Sequence, residues 1–500
     1  MIKKLSLYLA SALLSCGFIA CNESTDYENV DLIYSNVSVK SFSLKADSKV
    51  LNNLDSVFFS IDLVNARIFN ADSLPYGTKI DRLLVDIATD ACSTVELHVP
   101  RVNNTDTVIN YLEHSTDSID FANGPVKLHL VSFDKKAERD YTISVNVHQA
   151  IPDSLYWNHL AGRTLPSALS RVLAQKTVRY NNQALCLTTD GSRYSIATTA
   201  NPGDDNWTVS EIALTFTPDI NTFTATDDAL YILASDGTLY TSPDAISWTS
   251  CGVNWLNING AYGKSVLGIR RSEGRTYHVT YPQTAETPVA QDFPITGNSQ
   301  FFRYTSEWND APQVITVGGR TSGGVVTGGT WAYDGKTWAK IGDTPFQAEG
   351  VTMFPYLCCE TDTNTWVTTE RSVFVALGGR RPDNSMQRNV YISYNLGFSW
   401  KLADIKMQLP DEVPATYGSQ ALVFNTTMHA RSASDWTDYM LRPIPGGWAI
   451  IPERQSRAVS PITEWDTPYI YIFGGSLQDG LLNDGIWRGV LNRLTFIPLQ

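Results

Sequence analysis

The chain has 500 residues, of which 18% are charged and 43% are hydrophobic, so wholesale disorder is excluded and more than one domain is expected. Its formal net charge of −13 argues against nucleic acid as a partner, because no excess of Lys and Arg is present to neutralise phosphates. Aromatic residues make up 11%, which is typical of chains in which many short strands pack together.

The N-terminus has the pattern of a bacterial lipoprotein signal peptide. Two lysines and an apolar run fill residues 3–20, and Cys21 follows. The segment Phe18-Ile-Ala-Cys21 resembles a lipobox, in which a small residue precedes the cysteine that is lipidated. Cys16 is the rival site, but Cys21 is preferred because a polar, acidic run follows it directly. An uncleaved membrane helix is disfavoured because the apolar run is shorter than the roughly 20 residues that a span requires.

Lipidation at Cys21 would attach the exported chain to the outer membrane. Several acyl chains hold a protein far more firmly than a single myristoyl group does. Residues 22–34 are polar and are predicted to be a tether between the lipid and the first domain. Their acidic residues resemble the signal that marks surface export in Bacteroidota lipoproteins. We therefore predict a cell-surface lipoprotein of the outer membrane, with the periplasmic face as the alternative.

Residues 35–150 alternate between apolar and polar side chains in short segments that turn signals separate. The clearest of these segments are Val37–Leu44, Ile80–Ile87 and Tyr141–Val147. Six or seven short strands, each with one apolar face and one solvent-exposed polar face, are typical of an antiparallel, Ig-like β-sandwich. His98, His129 and His148 fall on such strands, and we interpret them as solvent-facing residues or cross-strand partners rather than metal ligands.

Residues 153–500 are predicted to form a β-propeller. Seven apolar strands recur in this region, starting near Ala184, Ala229, Ser265, Gln313, Val373, Ala421 and Tyr469. Their separations are close to the roughly 40 to 50 residues that a four-stranded blade and its loops require. We predict about seven blades, with six and eight as the alternatives.

Several repeats carry Gly-Gly pairs or short turn motifs. The Gly-Gly pairs that end Val314–Gly319, Phe374–Gly379 and Ile470–Gly475 resemble those of kelch blades, where glycine lets a strand bend and a neighbouring backbone approach closely. The hairpin Ser393–Trp400 resembles the sialidase Asp-box, with Asn for Asp and Ser for Thr, and Ser242–Trp248 is a shorter version. Asp-boxes stabilise a turn and lie far from the catalytic site of sialidases, so this resemblance concerns the fold alone.

One segment of the first domain carries a wider resemblance. Ile68–Thr78 joins two of the predicted strands and contains the Asn, Asp, Pro and Gly residues of an ordered turn. Placed between a lipobox and a propeller-like remainder, it resembles an uncharacterised family of Bacteroidota lipoproteins that has a domain of unknown function. The resemblance covers most of the mature chain and implies no activity.

Basic residues end three of the predicted second strands of blades. They are Arg270, Arg271, Arg320, Arg380 and Arg381. The loop after the second strand of a kelch-like blade opens onto one face of the propeller, so we predict that these arginines cluster near one mouth of the channel. Guanidinium groups pair bidentately with oxyanions, which suits a ligand with a carboxylate or sulfate group. The alternative is that they bridge adjacent blades through carbonyl groups and Asp.

Tryptophans occupy comparable loops on the predicted opposite face. They are Trp308, Trp366, Trp436 and Trp465. Exposed indole rings in such loops could stack on the apolar C–H face of a sugar. The alternative is that they pack between blades.

The five cysteines after the signal peptide do not indicate a redox or metal site. They are Cys92, Cys186, Cys251, Cys358 and Cys359. Their number is odd, and no Cys-x-x-Cys or His-rich spacing accompanies them. We interpret them as small, buried apolar residues.

Sequence motifs favour binding over catalysis. A sialidase-like site needs an arginine cluster, a Tyr nucleophile with a Glu partner and an Asp acid, and no Tyr–Glu pair stands out. The sequence also lacks a zinc-binding His pair, a nucleophile elbow and a phosphate loop, so no metal or cofactor is expected. The favoured function is non-catalytic binding of a glycan or a surface protein by a membrane-anchored chain. A glycan-active hydrolase or lyase and a structural subunit of an envelope complex are the alternatives.

Overall fold

The structure of the protein, a computed structural model, describes residues 35–102, 105–149, 151, 154–306, 309–362, 368–429 and 464–491. In this part of the chain, the helices are two short 3-10 turns, Leu54–Ser56 and Ile405–Met407, and all other regular structure is β-strand. The predicted all-β class is therefore confirmed. Two compact units divide the described residues: the first takes 35–46, 61–69 and 80–144, and the second takes 47–60, 70–79 and those from 145 onward.

The first unit contains two sheets. Its strands are β1 (Val39–Leu44), β2 (Ser60–Asp62), β3 (Arg67–Phe69), β4 (Val85–Thr89), β5 (Cys92–Val99), β6 (Thr107–Asn110), β7 (Val126–Ser132) and β8 (Glu138–Ser144). One sheet is β1-β4 and the other has the order β2-β3-β8-β7-β5-β6. Along β7 the side chains of Val126, Leu128 and Leu130 are buried, because every second residue faces the core. The β3–β8 pair is parallel, which departs from the purely antiparallel pattern that the sequence predicts.

Two of the three histidines of this region lie beside carboxylates. His129 is opposite Asp140 in the β7–β8 register, with Nδ1 2.6 Å from Oδ1. His98 lies beside Glu96 on β5, with Nε2 3.6 Å from Oε2. The interpretation of His129 as a cross-strand partner is therefore confirmed.

In its described residues, the second unit contains 25 strands. They are β9 (Leu155–Thr164), β10 (Ala174–Tyr180), β11 (Gln183–Thr189), β12 (Tyr194–Thr199), β13 (Thr208–Ile212), β14 (Pro218–Ala225), β15 (Leu230–Ala234), β16 (Thr238–Ser242), β17 (Thr249–Asn254), β18 (Asn257–Tyr262), β19 (Ser265–Ser272), β20 (Arg275–Tyr281), β21 (Glu286–Pro288), β22 (Pro294–Thr296), β23 (Phe302–Ser306), β24 (Asn309–Thr321), β25 (Val326–Tyr333), β26 (Trp338–Asp343), β27 (Thr352–Thr361), β28 (Thr368–Leu377), β29 (Tyr391–Ser393), β30 (Lys401–Leu402), β31 (Gln420–His429), β32 (Glu464–Phe473) and β33 (Gly485–Leu491).

These strands form six antiparallel sheets. Five follow chain order: β10 to β13, β14 to β17, β18 to β21, β22 to β26 and β27 to β30. In the fourth sheet, β22 and β23 both pair with β24 and so share the place of a first strand. The sixth sheet has the order β31-β32-β33-β9, so the first strand of the unit pairs with the last.

The six sheets are arranged in a ring. The first strands β10, β14, β18 and β22 contact one another in that order, β27 contacts β31, and β31 of the sixth sheet contacts β10 of the first. Between the fourth and fifth sheets, the amide of Gly350 donates to the carbonyl of Gly297 at 2.6 Å. Because β9 completes the last sheet, the beginning and end of the ring are joined by strand pairing.

The described sheets number six, which is one of the alternatives to the predicted count of about seven. Ala421 and Tyr469 mark two of the seven apolar strands, and these strands are β31 and β32, which pair with each other in one sheet. Residues 430–463, which separate them in the sequence, lie outside the described residues. Both strands are rich in buried apolar side chains, so periodicity alone does not distinguish two strands of one sheet from the same strand of two sheets.

Apolar side chains of adjacent sheets pack against each other. Ile315 and Val317 of β24 share a buried cluster with Met353 of β27 and with Phe374 and Ala376 of β28. Burial on both faces of these strands explains their continuous apolar runs. The ring is therefore held by a core between sheets as well as by closure of its ends.

The Gly-Gly pairs lie where the next sheet approaches. All six glycines of the three pairs have positive φ, a region that residues with a Cβ rarely adopt. A Cβ on Gly318 would meet the carbonyl oxygen of Ala348 at 2.4 Å, and one on Gly378 would meet that of Thr416 at 2.6 Å. The prediction that these pairs permit close approach of a neighbouring backbone is therefore confirmed.

The hairpin motifs hold tight turns. In Ser393–Trp400, Oδ1 of Asn395 accepts from the amide of Ser399 at 2.9 Å, and the indole of Trp400 donates to the Thr330 hydroxyl at 3.0 Å. In Ser242–Trp248, Oδ1 of Asp244 accepts from the amide of Ser247 at 2.7 Å. Each motif therefore stabilises its own turn through hydrogen bonds from the turn's amides to a side-chain oxygen.

Cys92, Cys186 and Cys251 are free thiols. Cys186 and Cys358 are buried, which confirms the interpretation of these two as small apolar residues. Burial raises the pKa of Cys186 to about 12, so its thiol stays protonated and unreactive. Cys92 and Cys251 are half-buried, and the side chain of Cys359 lies outside the described residues.

Candidate functional site

Two of the predicted arginines meet on one buried carboxylate, that of Glu349. Arg320, near the end of β24, binds it bidentately, with Nη2 2.6 Å from Oε1 and Nε 2.9 Å from Oε2. Arg380, which follows β28, donates to Oε1 from Nη2 at 2.9 Å and from Nε at 3.2 Å. We call these three residues the Arg–Glu–Arg cluster. Arg320 belongs to the fourth sheet, whereas Glu349 and Arg380 belong to the fifth, so Arg320 is the arginine that bridges adjacent blades.

Backbone hydrogen bonds fix the cluster in place. The amide of Glu349 donates to the carbonyl of Arg380 at 3.0 Å, and the amide of Arg380 donates back at 2.8 Å. Nη1 of Arg320 donates to the carbonyl of Gly324 at 2.8 Å. Both guanidinium groups are therefore held before any ligand arrives.

The cluster carries a net positive charge that is partly open to solvent. Two guanidinium groups and one carboxylate sum to +1, and each arginine side chain is 38% exposed whereas that of Glu349 is 5% exposed. The ring of Tyr417 lies against Arg380, with its centroid 4.6 Å from Cζ. A fixed cation beside an aromatic face is therefore presented at this end of the ring.

Electrostatics keep the cluster charged at neutral pH. Burial acts to raise the pKa of Glu349, but the hydrogen bonds and charges of Arg320 and Arg380 outweigh it and lower that pKa. The hydrogen bond to Glu349 raises the pKa of Arg320 in return. Burial raises the pKa of the Tyr417 phenol, which therefore stays neutral.

Arg381 lies next to the cluster but makes a different contact. Its Nη2 donates to Oε1 of Gln387 at 2.6 Å. Gln387 is fully buried, and its Nε2 has no hydrogen-bond partner among the described residues. Arg381 therefore orients one end of a buried amide whose other end is left with an uncommitted donor.

The other two predicted arginines are placed differently. Nη2 of Arg270 lies 2.6 Å from Oε2 of Glu286, on the outermost strand of the third sheet. Arg271 is exposed. Five arginines were predicted to lie at one mouth of the propeller channel. The structure joins Arg320 and Arg380 through a common carboxylate and places Arg381 beside them. It pairs Arg270 with a different carboxylate.

Several predicted residues lie outside the described part of the chain. These are Cys21, Trp308, Trp366 and Trp436. The backbone of Trp465 belongs to β32, but its side chain is not described. The proposal that tryptophans stack on sugar rings stays a prediction.

Sequence reasoning missed Glu349 and Tyr417. Each precedes a glycine that comes just before a first strand, and the carbonyl of Gly350 accepts from the amide of Gly418 at 2.8 Å. The same link joins Gly350 to Gly297, so this glycine recurs in three consecutive sheets. A residue-plus-glycine pair just before the first strands of the fifth and sixth sheets is the signal that could have identified them.

The described residues contain neither a metal-binding group nor a membrane-spanning helix. There, no group of three or more His, Cys, Asp or Glu side chains is arranged to hold a metal ion. Among the same residues, no helix is both long and apolar enough to cross a membrane.

A closed ring of antiparallel sheets of four or five strands defines a β-propeller protein. The chain belongs to the family of the DUF6242 beta propeller domain, whose model matches residues 151–499. The N-terminal domain of the same domain of unknown function, DUF6242, matches residues 35–145.

Comparison with other proteins identifies no activity for this chain. No curated protein matches the chain. Among solved structures, "Structure of YjhT" is 11% identical and covers 65% of this chain and 96% of its own, with a TM-score of 0.37. The N-terminal domain of Nup159 is 10% identical and covers 68% and 96%, with a TM-score of 0.27. BBS1N, crystallised with ARL6DN and soaked with mercury, is 10% identical and covers 76% and 91%, with a TM-score of 0.28.

Proposed function

We propose that the protein is a surface-anchored lipoprotein whose propeller binds an anionic glycan without catalysis. The observation that carries this proposal is the Arg–Glu–Arg cluster, in which one buried carboxylate fixes two part-exposed guanidinium groups. The ligand class follows from the net charge of +1 and from the planar donors of arginine, which pair with carboxylate and sulfate oxygens.

Preorganisation supports binding at this cluster. An arginine side chain that is free in solution loses rotamer freedom when it binds a ligand, and this loss weakens binding. Arg320 and Arg380 are already ordered by Glu349. The ring of Tyr417 beside Arg380 adds an apolar face on which a sugar could rest.

The state of Glu349 argues against general acid–base catalysis at the cluster. A catalytic carboxylic acid works best when its pKa lies near the operating pH. Arg320 and Arg380 instead lower the pKa of Glu349, and both of its carboxylate oxygens accept hydrogen bonds. This carboxylate serves to position arginines.

Export and anchoring complete the proposal. The lipobox-like segment ending at Cys21 would place the chain on the outer membrane of a Bacteroidota cell, at the surface. There an Ig-like sandwich would separate a kelch-like propeller from the membrane. Partners in this scheme are the membrane, through the lipid, and an anionic glycan.

The first prediction concerns glycan binding. The chain from Asn22 onward contains every described residue, and we expect it to bind sulfated or uronic acid glycans on an array. The double substitution Arg380→Ala and Arg381→Ala removes one guanidinium group of the cluster and the guanidinium group of its neighbour Arg381, so we expect binding to weaken by about tenfold or more. Arg320 still pairs with Glu349 in this variant.

A matched control separates a site from a general charge effect. Arg193 and Arg303 form ion pairs with Asp190 and Asp227 away from the cluster, and replacing both with Ala changes the net charge by the same amount. We expect near-normal binding by this control. Equal losses in both variants, or unchanged binding after the cluster substitutions, would contradict the proposal.

A further inference from the structure

A cavity of about 270 Å³ lies between the second and third sheets of the propeller. Val253 and Trp255, at the end of β17, form one side. Arg270 of β19, Val279 of β20 and Glu286 of β21 form the other. The cavity combines an apolar wall with an ion pair, a mixture typical of small-molecule sites.

The ion pair leaves hydrogen-bonding capacity unused. In the described part of the chain, the hydrogen bond from Nη2 to Glu286 is the one that the Arg270 guanidinium makes, although this group carries five N–H donors. Its Nε is buried and has no partner among the described residues. The side chain as a whole is 36% exposed, so its remaining accessible N–H groups are the donors that a ligand in the cavity can use.

The apolar wall of the cavity is formed by buried side chains. Trp255 is 5% exposed and Val279 is 4% exposed. A Cβ on Gly268 would meet Cε3 of Trp255 at 2.3 Å, so the indole lies directly on the backbone of the neighbouring sheet. An immobile aromatic wall loses no rotamer freedom when a ligand binds.

We propose that this cavity binds a single neutral sugar residue through Arg270 and Glu286. The charges of the two side chains cancel, and the Glu286 carboxylate repels an oxyanion, so the anionic groups that suit the Arg–Glu–Arg cluster do not suit this cavity. Sugar hydroxyls both donate and accept, which matches a guanidinium beside a carboxylate. The volume lies just under the usual range for organic ligands, roughly 300–1,000 Å³, which restricts the occupant to a small one.

The test is saturation-transfer NMR on the chain from Asn22 with four neutral sugars: glucose, galactose, mannose and N-acetylglucosamine. We expect saturation transfer to at least one of them. For that sugar, Arg270→Met and Glu286→Gln each raise Kd about tenfold, because each removes donors or acceptors that the hydroxyl groups use. The matched control is Arg303→Met, which breaks an exposed ion pair with Asp227 outside the cavity and is expected to leave Kd unchanged.

Two outcomes would overturn the inference: the folded wild-type chain binds none of the four sugars, or both cavity variants bind as the wild type does. Because Glu286 is exposed, Glu286→Gln decides the question even where Arg270→Met fails to fold. Binding of sulfated glycans tests the two proposed sites separately. Arg270→Met is expected to retain this binding, whereas the double variant at Arg380 and Arg381 is expected to lose it.

Discussion

At the residue scale, Glu349 determines what the neighbouring arginines can do. A side chain that is 5% exposed and charged is unfavourable unless it is paired, and Arg320 and Arg380 provide that pairing. In return, the carboxylate aligns two like charges that would otherwise repel each other. Stability of the ring and presentation of the cation therefore depend on the same group.

The second prediction is that Glu349→Gln destabilises the propeller. The amide cannot neutralise two guanidinium groups, so we expect the free energy of unfolding to fall by about 2 kcal/mol at pH 7, less than for a fully buried pair because the arginines are part-exposed. Urea denaturation measures this change. As a control, Asp227→Asn breaks an exposed pair with Arg303 and is expected to change stability by about 0.5 kcal/mol or less.

The effect of Glu349→Gln should also depend on pH. The pKa of Glu349 is lowered by folding, so its stabilising contribution is complete above its unfolded pKa and is lost as pH falls through its folded pKa. We therefore expect the stability difference between wild type and Glu349→Gln to shrink in acid. A difference that stays constant from pH 7 to pH 3 would show that packing, rather than charge, is responsible.

Sequence alone predicted the arginines of this cluster but not their partner. Arg320 and Arg380 follow Gly-Gly pairs, which gives them a visible register. Glu349 lies 29 and 31 residues from them and belongs to no recognised motif. Contacts between sheets depend on how the ring closes, and this information is not contained in local periodicity.

At the element scale, the Gly-Gly pairs are the points where one sheet meets the next. They were predictable because a strand that ends in two glycines can turn with positive φ and leave room for another backbone. The number of sheets was harder to predict, since β31 and β32 have the same apolar character and a long segment separates them in the sequence. Strand type is a local property, whereas strand pairing is not.

The third prediction compares two glycines of one strand–turn region. Gly318 and Gly324 both have positive φ, but a Cβ on Gly318 meets the carbonyl of Ala348 at 2.4 Å whereas one on Gly324 meets nothing within 4 Å. We expect Gly324→Ala to cost about 1 kcal/mol of stability from backbone strain alone. Gly318→Ala adds a backbone clash and is expected to cost about 3 kcal/mol.

Urea denaturation of the two glycine variants measures the difference. The pair isolates the contact between sheets because strain is common to both positions and the clash is not. Equal destabilisation by the two substitutions would mean that the fourth and fifth sheets can separate here without loss.

At the scale of the whole molecule, closure of the ring links its proposed binding surfaces to its stability. The outer strand of the sixth sheet is β9, which comes first in the unit, so the sheets are complete only when the two ends of this part of the chain pair. A closed ring keeps its loops at fixed positions, which suits binding by several loops at once. The Arg–Glu–Arg cluster and the Arg270 cavity both lie between consecutive sheets, where such rigidity matters most.

The last prediction concerns attachment of the whole chain to a membrane. We expect full-length protein expressed in a lipoprotein-processing bacterium to incorporate an alkyne-tagged fatty acid and to partition with membranes, because several acyl chains give nearly permanent anchoring. Cys21→Ser should abolish both properties, since the thiol that carries the lipid is gone. Cys16→Ser is the matched control and should keep both, because this cysteine is removed with the predicted signal peptide. Labelling that survives Cys21→Ser but not Cys16→Ser would reassign the anchor.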